Sequence, residues 1–438
     1  MRRAIRWLWR QWRRVALLGV LATLGVLGAM AASASLPAFA EQTALSSVRQ
    51  ASPTLRDDTP TPQEQARAHE RAARARMLYL VSLLYEGALL FAFIGLGGTR
   101  WLAHLVTRIG PRWVLGLAAV LGILTVASTL LTLPLDYYSS YLFAHQYGLS
   151  NQTPLQWLRD YLVEGGVGIV IGFPLAVLGY ALLRRFPRTW WLWLSAASIP
   201  VSIVLMLITP VFITPLFNKF TPLPDGPLKH DILEMAHQQG IHAEDVYEMN
   251  GSRQSNAVNA YVIGFGPTLR IVLYDTLVKE FTPQEVQFVL AHEMGHYVLG
   301  HIYQGILFSV LGTFIGAYLF ALVAQRVLVR YHDFLGVATL GNPASYPIIM
   351  ALGMVFSLIA LPIGNAFSRH LEWQADRFAV RIYPHPAAGI AAFHKLGRLN
   401  VAEENPPRWA EVLFGSHPSL AERINALEHP GACPTAPP

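Results

Sequence analysis

In a chain of 438 residues, a hydrophobic share of 53% set against only 14% charged residues excludes a disordered polypeptide and weighs against a soluble domain. The formal net charge of +6 comes largely from arginines beside apolar runs, which makes anionic lipid the expected partner and leaves no case for nucleic acid. The single cysteine, Cys433, excludes an intrachain disulfide.

Residues 1–40 begin with an arginine-rich stretch and continue into an apolar run from Val15 to about Leu36. Ala38-Phe39-Ala40 before Glu41 has the small residues of a signal-peptide cleavage site, but the run is long for a signal peptide, so a retained transmembrane helix or signal anchor is favoured. Residues 41–76 are polar and read as a loop followed by an extramembrane helix. Within 77–215, runs of membrane length at Met77–Gly97, Trp113–Leu133, Gly165–Leu183 and Thr189–Pro215 supply helices two to five. Ile302–Ala324 and Pro347–Phe367, within 302–367, bring the count to seven. Glu86 interrupts the second run; an ionisable group there is a functional candidate by default, unless it marks an interfacial turn or faces enclosed water.

The connections after the second and fourth helices carry Arg100, Arg108 and Arg112, then Arg184, Arg185 and Arg188, whereas the one between the third and fourth carries only Arg159. By the positive-inside rule the arginine-rich ends are cytoplasmic, which puts the segment 216–301 on the periplasmic side or its equivalent.

That segment holds the chemistry. Tyr261-Val262-Ile263 and Arg270-Ile271-Val272-Leu273-Tyr274 read as two short strands around a Gly264-Phe265-Gly266-Pro267 turn. Thr282-Pro283-Gln284-Glu285 reads as a capping box with proline at the first helical position, and Phe281 can staple onto Val286. Val286, Val289, Leu290 and Tyr297, with Phe288, continue at helical spacing. On this helix stands His292-Glu293-Met294-Gly295-His296. Residues i and i+4 lie about 40° apart around a helix, so both imidazoles can close on one zinc ion at about 2.0–2.1 Å. Glu293, about 100° round from His292, is placed to hold a water and take its proton.

A catalytic zinc site keeps three protein ligands and one open position. His301 is the tempting third, but a metzincin needs its histidine where Ile302 stands, and at i+9 on a continuous helix His301 would point about 180° away from His292. It reads as a polar helix end at a membrane interface. Glu372 and Asp376, again i and i+4, share a helix face in the segment 368–424. Such a pair alone is ordinarily a solvated face. Joined to the histidine motif, it assigns Glu372 as the third ligand and Asp376 as the carboxylate that accepts a ligand histidine's free ring N–H. Residues 425–438 read as a disordered tail.

In order and kind the motifs resemble the membrane zinc endopeptidases of the CAAX prenyl protease 1 type, with heat-shock membrane zinc proteases as more distant relatives. Those motifs are Pro210 to Phe220, Asn259-Ala260-Tyr261-Val262-Ile263-Gly264, Val272 to Leu277, the zinc helix, Asn365 to Asp376, and His417-Pro418. The likeness covers roughly residues 70 to 430. It implies a mostly α fold: a polytopic membrane bundle of about seven helices carrying a gluzincin-like zinc metallopeptidase domain with a small β-sheet. It also implies His292, His296 and Glu372 as metal ligands, Glu293 as base and Asp376 as a supporting acid. Asn259 is implied to align substrate backbone, His417 to steady the tetrahedral intermediate, and Arg369 to serve structure. Eukaryotic members of the family place the catalytic region in the cytosol, against the charge rule here.

The expected activity is metalloendopeptidase, with one Zn2+ per chain and a membrane-associated polypeptide as substrate. Rich in Arg and Ala, the chain looks prokaryotic, so quality control in a bacterial inner membrane is expected ahead of CAAX processing. The alternative is a zinc-stabilised membrane scaffold or transporter without proteolysis, which has no need of Glu293 or an open metal position. A soluble peptidase on one anchor is excluded by the two apolar runs between His296 and Glu372.

Overall fold

The computed structural model describes residues 58–264 and 269–429. Among them, six helices are long and apolar enough to cross a membrane. The seventh expected span, Val15 to Leu36, lies outside the described residues, as does most of the Gly264 to Pro267 turn.

The first described helix, α1 (Pro62–Gly95), starts at a Thr61 capping box with Pro62 at its first position. The extramembrane helix expected before Met77 and the apolar span after it are one continuous element. Next come α2 (Gly98–Ile109), α3 (Trp113–Asp136, extended through a π turn to Gln146), α4 (Pro154–Arg185) and α5 (Trp190–Ile208, extended to Leu216). Leu84, Val170, Leu307 and Ile359 stand exposed on such spans, which apolar surroundings tolerate and water does not.

At one end of the bundle, Arg100 Nε donates to Phe334 O at 2.8 Å and Arg184 Nη1 to Gly341 O at 3.3 Å. The two arginine-rich connections therefore meet the loop between α9 (His301–Leu335) and α10 (Tyr346–Ile382) at that end. The other end carries the remaining domain: α6 (Pro227–Gln238), α7 (Asp275–Glu280), α8 (Pro283–Val298), α11 (Pro386–Leu399), α12 (Arg408–Phe414) and α13 (Leu420–Glu428) around a four-stranded sheet.

The sheet has the order β1 (Phe220–Pro222), β2 (Val246–Met249), β4 (Arg270–Tyr274), β3 (Ala260–Ile263). β3 and β4 are antiparallel, with Tyr261 opposite Val272, so the expected hairpin is present and β3 is an edge. Ile271, Leu273, Phe288, Leu290, Met294 and Phe378 are buried together beneath it. Residues 425–428, expected in a disordered tail, belong instead to α13, which runs to Glu428 because Ile424, Ala426 and Leu427 are buried, and residues 430–438 of that expected tail lie outside the described residues.

Candidate active site

The helix α8 begins as its sequence dictates, with Thr282 Oγ1 accepting from Glu285 N and the Glu285 side chain accepting from Thr282 N. Phe281 and Val286 are both in the buried core, which fixes where the helix enters. Its buried face then holds His292. Glu372 and Asp376 lie on the far end of α10, beyond its apolar stretch, and both are buried. One unbroken helix thus carries the last membrane span and both carboxylates.

Gly295 is where the two helices meet: a Cβ built on it would lie 3.2 Å from Cα of Ala375 and from Cβ of Phe378. At that spacing His292, His296 and Glu372 converge. His292 Nε2 is 3.1 Å from His296 Nε2 and 3.2 Å from Glu372 Oε2, and His296 Nε2 is 3.4 Å from Glu372 Oε1. Asp376 Oδ1 accepts from His292 Nδ1 at 2.8 Å, which leaves Nε2 of the neutral ring as a lone pair. Glu372 Oε2 is buried with no hydrogen-bonding partner among the described residues. Lone pairs aimed at one another, with a buried carboxylate oxygen left unsatisfied, fit a divalent cation, and two imidazoles with one carboxylate are a donor set suited to zinc.

Glu293 and His292 line a cleft of 720 Å³ that also takes in Asn259, Ala260 and His417. Burial pushes the Glu293 carboxyl above the ordinary carboxylate range. Burial alone would lower the His292 imidazole, but the Asp376 and Glu372 carboxylates beside it reverse this and raise it to about 9. His417 Nε2 lies 3.3 Å from Glu372 Oε1, at the rim of the cluster, with 58% of its side chain exposed. Arg369 Nη1 donates to Glu411 O at 3.0 Å and Gly415 O at 2.6 Å, fastening the turn that presents His417. Asn259 is exposed at the start of β3, its O accepting from Tyr274 N at 3.0 Å. Glu86 is exposed on α1 and outside the ligand cluster.

Two residues were misread or missed. His301 does stand at a helix end, the first residue of α9, but it is buried, at 4% exposure, and its Nδ1 lies 2.9 Å from Nδ1 of His296. The assumption of a continuous helix fails because α8 ends at Val298 and Gly300 adopts φ +68, a left-handed turn that suits glycine. Arg423 was not singled out, yet it is buried on α13 and donates to both oxygens of Asp376, from Nε at 2.8 Å and Nη2 at 2.6 Å. No local pattern marks it; its only signal is a basic residue among the apolar positions of the last helix.

Membrane-crossing helices that continue into a domain with a two-histidine, one-carboxylate cluster and a neighbouring glutamate define a polytopic membrane metallopeptidase. Residues 222–431 match Peptidase family M48, and residues 42–219 match the CAAX prenyl protease N-terminal region, described as five membrane helices. The uncharacterized metalloprotease YhfN of Bacillus subtilis is 32% identical over 379 residues, covering 85% of this chain and 88% of that one. The chain belongs to peptidase family M48. CAAX prenyl protease 1 of Saccharomyces cerevisiae is 33% identical over 326 residues, covering 70% and 71% of the two chains. The crystal structure of S. mikatae Ste24p is similar with a TM-score of 0.76 at 27% identity, covering 95% of this chain and 99% of that one.

Proposed function

We propose that this membrane metallopeptidase is a zinc endopeptidase in which His292, His296 and Glu372 hold the ion and Glu293 is the general base. What carries the reading is the convergence of those three ligand atoms within 4.8 Å of one another, with Glu293 lining the same cleft. Zinc bound there would supply Lewis acidity, polarising the scissile carbonyl and acidifying a water towards neutral pH.

The chain's own residues do the rest. Glu293, raised by burial and so well suited to both accepting and returning a proton, takes one from the attacking water and delivers it to the leaving amine. Asp376 fixes the His292 tautomer, held in turn by Arg423. His417 at the rim is placed to donate to the developing oxyanion, a contact typically worth about 3–4 kcal/mol of barrier. The free edge of β3, starting at Asn259, takes the substrate as an added strand.

The substrate is a membrane-associated polypeptide cleaved in quality control, with CAAX-type cleavage, named in the yeast relative, as an inherited capability. Arg100 and Arg184 at the end of the bundle away from the sheet support a cytoplasmic position for that end and a periplasmic one for the site, in a bacterial inner membrane. The test is purified wild type against Glu293→Gln on a membrane-protein panel, with new termini mapped by mass spectrometry. Wild-type termini should vanish in the variant while bound zinc stays. Termini that persist reject Glu293 as base, and fragments ending only at prenylated cysteine motifs reject quality control.

A further inference from the structure

We infer that His301 is a positioning residue that fixes the tautomer of His296, at the head of a hydrogen-bond relay running through Gln374 to His370. It rests on the ligand set proposed above and adds two residues to it.

The distances define the relay, and the orientation of the Gln374 amide sets its direction. His296 Nδ1 is 2.9 Å from His301 Nδ1, His301 Nε2 is 3.2 Å from Gln374 Oε1, and Gln374 Nε2 is 2.7 Å from His370 Nε2. Gln374 Oε1 can only accept, so the proton of His301 sits on Nε2. Its Nδ1 is then a bare acceptor and receives the Nδ1 proton of His296. That leaves His296 Nε2 as a lone pair facing the site, the state in which it can ligate. With the Gln374 amide turned over, every proton would shift along the chain, and His296 Nε2 would carry a hydrogen and be lost as a ligand. Gln374 Nε2 lies 2.7 Å from His370 Nε2, one turn earlier on α10, and with the His370 proton on Nδ1 this contact keeps the amide oxygen towards His301.

The relay also joins the two helices that supply ligands. Gln374 lies two residues after Glu372, so one rigid element supplies the third ligand and orients the second. Gly300 is what makes this reachable, since its left-handed turn brings His301 back over His296. His292 has the matching device in Asp376, giving each ligand histidine its own acceptor from α10 or through it.

The test is zinc affinity of the full chain in detergent, by competition against a chelator. His301→Phe keeps the bulk and loses the acceptor; Gln374→Leu removes the acceptor that holds the His301 proton. Each should weaken zinc by about 10–100-fold. Gln374→Glu keeps an acceptor and should bind within about threefold of wild type; because Leu and Glu both fill the space of Gln374, a packing role would leave the two variants alike. His301→Phe binding zinc as wild type does overturns the relay, and so does Gln374→Glu as weak as Gln374→Leu. The Gln374 pair decides alone if His301→Phe does not fold. Wild type without zinc, or His296→Ala with undiminished affinity, overturns the ligand set itself.

Discussion

Arg423 holds Asp376 with two arms of its guanidinium, and the oxygen it approaches at 2.6 Å is the one that receives the His292 proton at 2.8 Å. Both charges are buried, at 7% and 5% exposure. Removing one member of such a pair strands the other, at a cost of about 3–5 kcal/mol. Arg423→Met is therefore expected to destabilise by that order. Adding Asp376→Asn to it should cost little more, because the stranded charge is then gone. Thermal unfolding of the two single variants and the double variant in detergent checks this. Simple additivity would rule out the coupling.

The His292 pair also predicts a pH dependence. Its imidazole is raised to about 9 from an ordinary value of 6.5, so the proton stabilises the metal-free protein fully below about pH 6.5, and that stability is lost as pH climbs through 9. A cation has to displace this proton. Zinc affinity should then rise about tenfold per pH unit across that window and level off above it. Chelator competition at a series of pH values reads the slope, and a flat profile would contradict a raised imidazole in the apo site.

What was legible in the sequence was whatever local spacing dictates. The cap at Thr282, the hairpin around Gly264, the i, i+4 pairing of His292 with His296 and of Glu372 with Asp376, and the apolar runs all follow from helix and strand periods. His301 was misplaced because one left-handed glycine redirects a chain that periodicity would continue. Arg423 and Gln374 escaped notice because their partners are 47 and 73 residues away, and nothing in either neighbourhood encodes those distances.

A third long-range feature of this kind ties the membrane bundle to the domain. Asp160 on α4 accepts from Gln152 and Gln254 at 2.8 Å and from Arg253 at 2.9 Å, and is 8% exposed. Arg253 and Gln254 belong to the loop that leads to Asn259 and β3. Asp160→Ala should destabilise by about 1–3 kcal/mol, since Gln152, Gln254 and Arg253 lose a buried acceptor while Arg253 keeps its bond to Phe217 O. It should also speed amide exchange across 251–259 while leaving exchange in α8 unchanged. Uniform acceleration would mean the contact is not local to the substrate strand.

Strand addition at β3 is open to a single-atom test. Tyr274 N donates to Asn259 O, so Tyr261 opposite Val272 is the next bonded pair, and Val262 turns its N–H to the free edge. Val262→Pro removes that donor without breaking a bond to β4, and proline is tolerated on an edge. A hydrogen bond contributes about 0.5–1.5 kcal/mol, so KM should rise about three- to tenfold with kcat nearly unchanged. An unchanged KM would mean the peptide binds elsewhere.

Gly295 gives the sharpest prediction about the site's assembly, because two effects oppose there. In an isolated helix Gly→Ala gains about 1 kcal/mol. Here the added methyl would sit 3.2 Å from Cα of Ala375, a backbone atom that cannot rotate aside, and 3.2 Å from two atoms of Phe378. Overpacking of that kind costs about 1–3 kcal/mol, so the net change should be destabilising. The strain falls between α8 and α10, on the contact that brings His292 and His296 within 3.2–3.4 Å of Glu372. Gly295→Ala should therefore weaken zinc more than it lowers the unfolding temperature, whereas Gly316→Ala, in open space on α9, should leave zinc unchanged and raise the unfolding temperature slightly. Equal behaviour of the two variants in a zinc titration would show that the approach of the helices does not set the ligand geometry.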